Sequence, residues 1–333
     1  MVTGRSLRVV YFGTPEFAVP SLVRLMDSRH DVVALVSQPD RPRGRGHRVQ
    51  PTPTKAAASE RGIPVLQPDR MKDPAFLEHL KTLEPDLGVV AAYGRILPDV
   101  LLDVPALGMI NVHASVLPSY RGAAPVHRAV IAGEPETGVT IMRVVTELDA
   151  GPTFAVSRRP IGPDETSAEV ERALAELGAD LVLDVIEEIA AGRAVAVPQD
   201  DARATFAPKV TKAEGLVDWS LPAQAIHNLV RGLQPWPLVA ARLGEARLLI
   251  HRTERITATN DVHARNKLPP AVDPRSAMAG SIVEAGPEGL TVMCGDGNLL
   301  RITRIQPEGR RAMSVRDFLA GHPVPPGARL ETP

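Results

Sequence analysis

Through the first two-thirds of the chain, short apolar runs rich in β-branched residues alternate with segments of helical periodicity, and no other feature restricts the fold so strongly. Residues 7–12 form the first run, broken at Gly13-Thr14-Pro15. Phe17, Val19, Leu22, Val23, Leu25 and Met26 then recur at helical spacing. Further strands are predicted over 31–37, 63–66, 87–92 and 109–113, and a helix over 55–61 that stops at Gly62. Asp73 is a good N-cap and Pro74 a pre-set first helical residue for a helix reaching about residue 83. Strands separated by helices of this length build βαβ units, so the expected fold is α/β, a Rossmann-like, mostly parallel sheet with helices on both faces. Ligands of such sheets bind outside the carboxyl ends of the strands. Chemistry is therefore expected just after Phe12, just after Ala92, and at 109–111.

Two more β runs follow, over 138–145 and 153–161. Thr166-Ser167-Ala168-Glu169 reads as a capping box opening a long amphipathic helix to about residue 191, ended by Gly192. A polar connection over 193–211 then leads to a different texture. A helix over 223–233 is followed by short β runs at 246–251, 280–285, 289–294 and 298–305 with glycine turns, which suggests a smaller C-terminal β-barrel (OB-like) domain. Residues 257–278 show no periodicity and read as a mobile loop. The predicted division is 1–192, a linker over 193–211, and 212–333.

The 333 residues suit two domains, and 38 Lys and Arg against 39 Asp and Glu give a net charge of −1, which by itself predicts no polyanionic partner. Cys294 is the single cysteine, so neither an internal disulfide nor a cysteine-rich zinc site is available. The polar start is read as neither a secretory signal nor a transit peptide, and no apolar stretch approaches the roughly 18 residues of a membrane helix. These readings lead to the expectation of a reduced, soluble, cytoplasmic monomer without membrane contact. Charge is nevertheless uneven, with 15 Lys and Arg against 12 Asp and Glu over 211–333 and 23 against 27 before it. Arg41-Pro42-Arg43-Gly44-Arg45-Gly46-His47-Arg48 places four arginines in a Gly/Pro context directly after the second strand, beside the expected crevice. Such runs are often only solvated, but this position favours contact with an anion or a nucleic acid.

The strongest chemical signal is Asn111-Val112-His113-Ala114-Ser115-Val116-Leu117-Pro118, followed by Arg121-Gly122-Ala123-Ala124-Pro125. Strand alternation puts Asn111 and His113 on one face and Val112 on the other. An amide and an imidazole projecting together from a strand end are able to hydrogen-bond one substrate oxygen. Asp149 lies 36 residues beyond His113, in a turn after a strand, a separation that lets the two meet. A carboxylate beside an imidazole fixes its tautomer and stabilises its cation.

These elements, with Glu136-Thr137-Gly138-Val139-Thr140 and Leu148-Asp149-Ala150-Gly151, resemble the 10-formyltetrahydrofolate-dependent formyltransferases. Phe12-Gly13-Thr14-Pro15, Gln38-Pro39-Asp40-Arg41-Pro42, Ala92-Tyr93-Gly94, Val217-Asp218-Trp219 and Pro235-Trp236-Pro237 point within that superfamily to the branch acting on methionyl-tRNA. The resemblance spans nearly the whole chain apart from residues 257–278. It implies a catalytic domain over 1–192 and a tRNA-binding domain over 212–333. Asn111, His113 and Asp149 align with the catalytic trio, and Ser115, Val116, Leu117 and Pro118 with the segment that contacts the folate. Tyr93 is a candidate to close over the pterin, or else packs on the sheet. Arg41, Arg43, Arg45 and Arg48 are the residues expected to reach the RNA. The implied co-substrate is 10-formyltetrahydrofolate, the implied partner initiator methionyl-tRNA, and no metal is required.

Two positions depart from the family pattern. Ala114 stands where relatives carry Gly or Pro; since Pro forces negative φ, Ala is expected to fit. Val116 replaces Leu. His127 and His227 read as structural, and Trp219 and Trp236 as packing residues rather than RNA-stacking ones. A formyltransferase acting on an amino sugar nucleotide, and a non-catalytic tRNA-binding protein, are the alternatives. The arginine-rich run argues against the first and the intact trio against the second.

Overall fold

The computed structural model describes residues 5–43, 48–256, 278–325 and 327–333. The apolar runs become strands β1 (Arg8–Gly13), β2 (Asp31–Val36), β5 (Val65–Leu66), β6 (Leu87–Ala91) and β7 (Met109–His113), which pair in parallel. Two antiparallel strands complete the sheet: β9 (Glu136–Arg143) beside β7, and β10 (Thr153–Pro160) beside β9. Among the described residues the order is β10-β9-β7-β6-β1-β2-β5. The sheet is thus mostly parallel, as predicted, with one antiparallel end.

Alternation along β1 sets what each face carries. Val10 and Phe12 share a buried cluster with Phe76 and Leu80 of α3 (Pro74–Thr82) and Leu101 of α4 (Asp99–Leu102). Tyr11 points the other way, donating its buried hydroxyl to the Ala18 carbonyl just before α1 (Val19–Met26). Asp73 caps α3 by accepting from the Ala75 N–H, as its position predicts. Val112 faces α6 (Ser167–Ala190), where a β-carbon on Gly178 would approach its methyl to 2.7 Å.

By compactness the chain forms two units, Met1–Pro125 with Glu136–Pro160 and Val170–Pro208, and Val126–Pro135 with Ile161–Glu169 and Lys209–Pro333. This differs from a simple cut near residue 212 in two ways. Residues predicted as a linker belong to the first unit: Val197 bridges Thr153, and β11 (Phe206–Ala207) pairs in parallel with β8 (Arg121–Gly122). Two segments from the first half of the chain belong to the second unit. Gly133 and Gly232 there sit so close to Asn228 and Ile131 that a β-carbon would come within 2.5 and 2.3 Å. Close packing of this kind is why the boundary does not follow the sequence.

The second unit carries α7 (Ala223–Gly232) and the antiparallel strands β12 (Val239–Leu243), β13 (Ala246–Arg255), β14 (Ile282–Gly286), β15 (Gly289–Met293), β16 (Leu299–Pro307) and β18 (Leu330–Glu331). Their order is β14-β15-β16-β13-β12-β18, and an isolated bridge between Ser281 and Arg329 joins the two ends. The sheet curls toward closure, the OB-like half-barrel expected. His227 is buried between the Thr253 hydroxyl and the Pro163 carbonyl, a structural histidine as predicted. Trp219 is buried, but Trp236 is 53% exposed. It stands between Pro235 and Pro237 in the turn from α7 to β12, so the packing role read for it is corrected. The loop read over 257–278 falls outside the described residues except for Met278.

Two capping boxes hold carboxylates in this unit. Burial raises the Glu169 carboxyl, but the Thr166 N–H and hydroxyl and Arg252 outweigh it and bring its pKa from 4.5 to about 2. Arg128 lowers Glu214 to about 2 against burial, helped by the Thr211 N–H and hydroxyl. A carboxyl whose folded pKa is depressed stabilises the fold above its unfolded pKa and loses that contribution as pH falls through the folded value. The second unit should therefore lose stability between pH 4.5 and about 2. Glu169→Gln and Glu214→Gln should each cost about 1 kcal/mol at neutral pH and flatten that decline in urea melts. An undiminished acid slope in the double variant would contradict this account.

Candidate active site

β7 presents Met109, Asn111 and His113 on one face, with Asn111 and His113 at its carboxyl end. The Asn111 amide is partly exposed and makes no hydrogen bond to another described residue, so its N–H groups are available to a ligand. His113 is 5% exposed. Its Nε2 lies 3.1 Å from the Tyr120 carbonyl, and because a carbonyl only accepts, Nε2 carries the proton in this contact. Its Nδ1 stands 3.7 Å from Asp149 Oδ2. The structure thus brings the three residues singled out from the sequence to one strand end, with the imidazole between a carbonyl and a carboxylate.

Asp149 reaches that place because the turn after β9 folds back on the strand. Arg143 donates its N–H to the Pro152 carbonyl, and Gly151 passes so near that a β-carbon there would sit 1.9 Å from the Arg143 carbonyl oxygen. Asp149 itself has φ +49°, a conformation Asp tolerates better than most residues. Its Oδ2 accepts the Gly122 N–H at 2.8 Å. Gly122 has φ +120°, and a β-carbon there would meet the Ala207 carbonyl oxygen at 2.9 Å, so the short β8–β11 ladder depends on glycine.

The segment after His113 is held equally closely. Thr140 of β9 donates its hydroxyl to the Ser115 carbonyl and accepts the Leu117 N–H, and Ser115 Oγ donates to the Ser119 carbonyl. Ser115 and Leu117 are buried, while Val116 and Pro118 are half-buried. Ala114 is not among the residues with positive φ, so it fits as the sequence reading expects. Ile96, in the loop after β6, is 88% exposed, and Leu148, in the loop after β9, is 61% exposed. A cleft of about 380 Å³ lies beside the start of β7, lined by residues including Asp99, Leu102, Met109, Val144 and Thr146.

Tyr93 is placed differently from the pterin contact considered for it. Its ring is 1% exposed, meets Phe12 edge-on at 5.6 Å, and its hydroxyl donates to Met71 Sδ. What Tyr93 turns toward the strand ends is its carbonyl, which accepts from Thr14 Oγ1 and Gln38 Nε2. Burial in the core leaves no ring surface for a ligand.

The arginine-rich run forms a two-stranded arm, β3 (Arg41–Arg43) against β4 (Arg48–Gln50), with Arg43 opposite Arg48. Arg41 is exposed; Arg45 lies outside the described residues, and for Arg43 and Arg48 only the backbone is described. At the base of the arm Asp40 is gripped by Lys55 Nζ at 2.5 Å and Gln67 Nε2 at 2.8 Å. Among the described residues no group of three or more His, Cys, Asp or Glu is arranged to hold a metal ion, and no helix is long and apolar enough to cross a membrane.

Two further residues contribute to this site: Gln199, which carries no signal in the sequence, and Arg121, whose motif the sequence displays without showing its contacts. Gln199, in the stretch read as a linker, donates Nε2 to the carbonyls of both Asp149 and Gly151 at 2.8 Å. Buried Arg121 in turn donates to Gln199 Oε1 from Nε and Nη2, and to Asp201. A glutamine in an aperiodic polar segment looks like any other, and it is the Thr153–Val197 bridge and the β8–β11 pairing on either side that bring it here.

Sequence comparison assigns this sheet, with its amide, imidazole and carboxylate at one strand end, to a family. The chain belongs to the formyl transferase family: the family profile matches residues 7–186, and that of the formyl transferase C-terminal domain matches 209–323. It is 47% identical to a methionyl-tRNA formyltransferase of Moorella thermoacetica over 97% of this chain and 99% of that protein. The crystal structure of HypX from Aquifex aeolicus with tetrahydrofolic acid shares the fold at TM-score 0.64 and 15% identity; it matches 95% of this chain, which spans about half (47%) of that one. An N-formyltransferase of Helicobacter canadensis, in complex with folinic acid and dTDP-3-aminofucose, does so at TM-score 0.64 and 15% identity, over 89% of this chain and 98% of that one.

Proposed function

We propose that this protein transfers the formyl group of 10-formyltetrahydrofolate to the α-amino group of methionine on initiator methionyl-tRNA. The observation that carries this reading is the 47% identity to a protein of that name, end to end through both units. The sugar-modifying relative at 15% identity shares the fold alone, and the arginine-bearing arm at 41–48 favours an RNA acceptor over a small one. The protein acts as a cytoplasmic monomer in this reading, with the unit containing 209–333 gripping the tRNA and the unit containing β7 performing the chemistry.

The reaction forms a bond between the methionine nitrogen and the formyl carbon and breaks the bond from that carbon to folate N10. The tetrahedral intermediate places negative charge on the formyl oxygen, where the uncommitted Asn111 amide donates a hydrogen bond. One proton must leave the attacking nitrogen and one must reach N10. His113 takes the first proton on Nδ1, its unprotonated nitrogen, while Nε2–H stays on the Tyr120 carbonyl. The Asp149 carboxylate beside Nδ1 stabilises the resulting cation, which then gives a proton to N10. A 3.7 Å contact in the free protein is of the kind that tightens once substrate is bound. Ser115, Val116, Leu117 and Pro118 supply the wall against which the folate lies, and the exposed Ile96 and Leu148 offer apolar cover for a flat ring.

The direct test is formyl transfer to charged initiator tRNA, with charged elongator tRNA and an amino sugar nucleotide as controls. Transfer to the initiator alone supports the assignment; transfer to the sugar and to neither tRNA refutes it. In the same assay His113→Ala and Asp149→Asn should each lower kcat by about 100-fold or more, with folate binding retained. Turnover near that of the parent in either variant would overturn the roles given to them.

The arm carries a separate prediction. Each arginine that meets a phosphate releases condensed counterions. Arg41→Ala with Arg45→Ala should reduce kcat/KM for charged tRNA and flatten its salt dependence by roughly one to two units of logarithmic slope. Folate binding should stay unchanged. Parental kinetics together with a parental salt slope would make this arm a solvated connection only.

A further inference from the structure

We infer that Gln199 is a positioning residue of the active site, clamping the turn that carries Asp149 so that its carboxylate faces His113. The inference rests on the function proposed above but concerns a residue to which no role has been assigned. Gln199 spends its whole hydrogen-bonding capacity there. Both protons of its amide go to the carbonyls of Asp149 and Gly151, each at 2.8 Å, so the glutamine spans the residue in positive φ and the glycine pressed against Arg143. Its oxygen accepts from Arg121 Nε at 3.1 Å and Nη2 at 2.8 Å, which fixes which end of the amide faces the turn.

Arg121 cannot drift, since its side chain is 6% exposed, its Nη2 also holds Asp201, and its own N–H is bound to the Thr205 carbonyl. The neighbouring Gly122 N–H is the donor to Asp149 Oδ2. Arg121 and Gly122 therefore hold Asp149 from two sides: through Gln199 at the backbone and directly at the carboxylate. Without the two bonds from Gln199, the backbone of Asp149 at φ +49° keeps only the long Ala150 N–H bond to the Glu147 carbonyl within the turn and the anchors at its ends, so the carboxylate shifts away from Gly122 and His113.

The test compares the parent with Gln199→Ala and Gln199→Glu, reading steady-state kinetics and amide hydrogen exchange in the full-length protein. Glutamate retains the shape and the acceptor for Arg121 but donates nothing to the two carbonyls, so it separates the clamp on the turn from the pairing with Arg121. Both variants should lose at least about tenfold in kcat with KM for folate and tRNA within about twofold, because a misplaced catalytic group affects the transition state more than binding. Exchange of the Gly122 amide should accelerate at least about tenfold. The Arg121 and Ala123 amides, bonded to Thr205 and Ala207, should keep their protection.

Parental kcat in Gln199→Glu, or parental protection of Gly122 in both variants, would overturn the inference. Equal acceleration at all three amides would also overturn it, since that reports general loosening. If the parent itself transferred no formyl group, the function proposed above would fall, while the exchange of Gly122 would still decide the clamp.

Discussion

The geometry of the proposed site depends on how a single turn, Leu148-Asp149-Ala150-Gly151, is tied down. The trio cannot be arranged by the sheet alone. Asn111 and His113 are two residues apart on a buried strand, so their relative placement follows from the pleat. Asp149 arrives from a loop, in a backbone conformation that most side chains avoid, and only specific contacts keep it there. The Gly122 N–H takes its carboxylate, Gln199 takes its carbonyl, and Gly151 lets the chain press against Arg143. Gly122 belongs to β8 and Gln199 to the stretch before β11, so a nominal connecting segment forms part of the proposed site.

The same logic explains what the sequence makes visible. Strands buried on both faces announce themselves by continuous apolar runs, and the predicted limits of β7, 109–113, match those of the structure. Capping chemistry is equally local: Asp73 and the Thr166–Glu169 pair do what their spacing predicts. Short elements were not legible. β8 and β11 have two residues each and owe their existence to each other across more than eighty residues, so no window along the chain contains them. Tyr93 shows the converse, for an aromatic residue at a strand end reads the same whether it covers a ligand or fills the core. Here the core takes it, through Phe12 and Met71.

The division into units follows from packing rather than from chain order. Residues 126–135 and 161–169 precede the second unit's sheet in sequence, yet the close contacts at Gly133 and Gly232 tie the first segment to α7, and hydrogen bonds from His227 and Arg231 to the Pro163, Gly162 and Glu165 carbonyls tie the second. A truncation at residue 212 would therefore remove part of a compact unit and leave the rest exposed. The capping glutamates Glu169 and Glu214 lie in that unit too, each satisfied by its own helix start and by an arginine from elsewhere in the unit. Charged side chains are thus used differently in the two places: ion pairs fasten the second unit internally, whereas Arg41 on the β3–β4 arm is exposed.

In the proposed mechanism His113 and Asp149 work as one device. A double-mutant cycle on single-turnover formyl transfer, with His113→Ala, Asp149→Asn and the pair, measures this directly. Residues acting as a unit are strongly non-additive, so the double variant should be no more than about threefold slower than the slower single variant. Losses that multiply across the cycle would show the two acting independently, and would contradict the account.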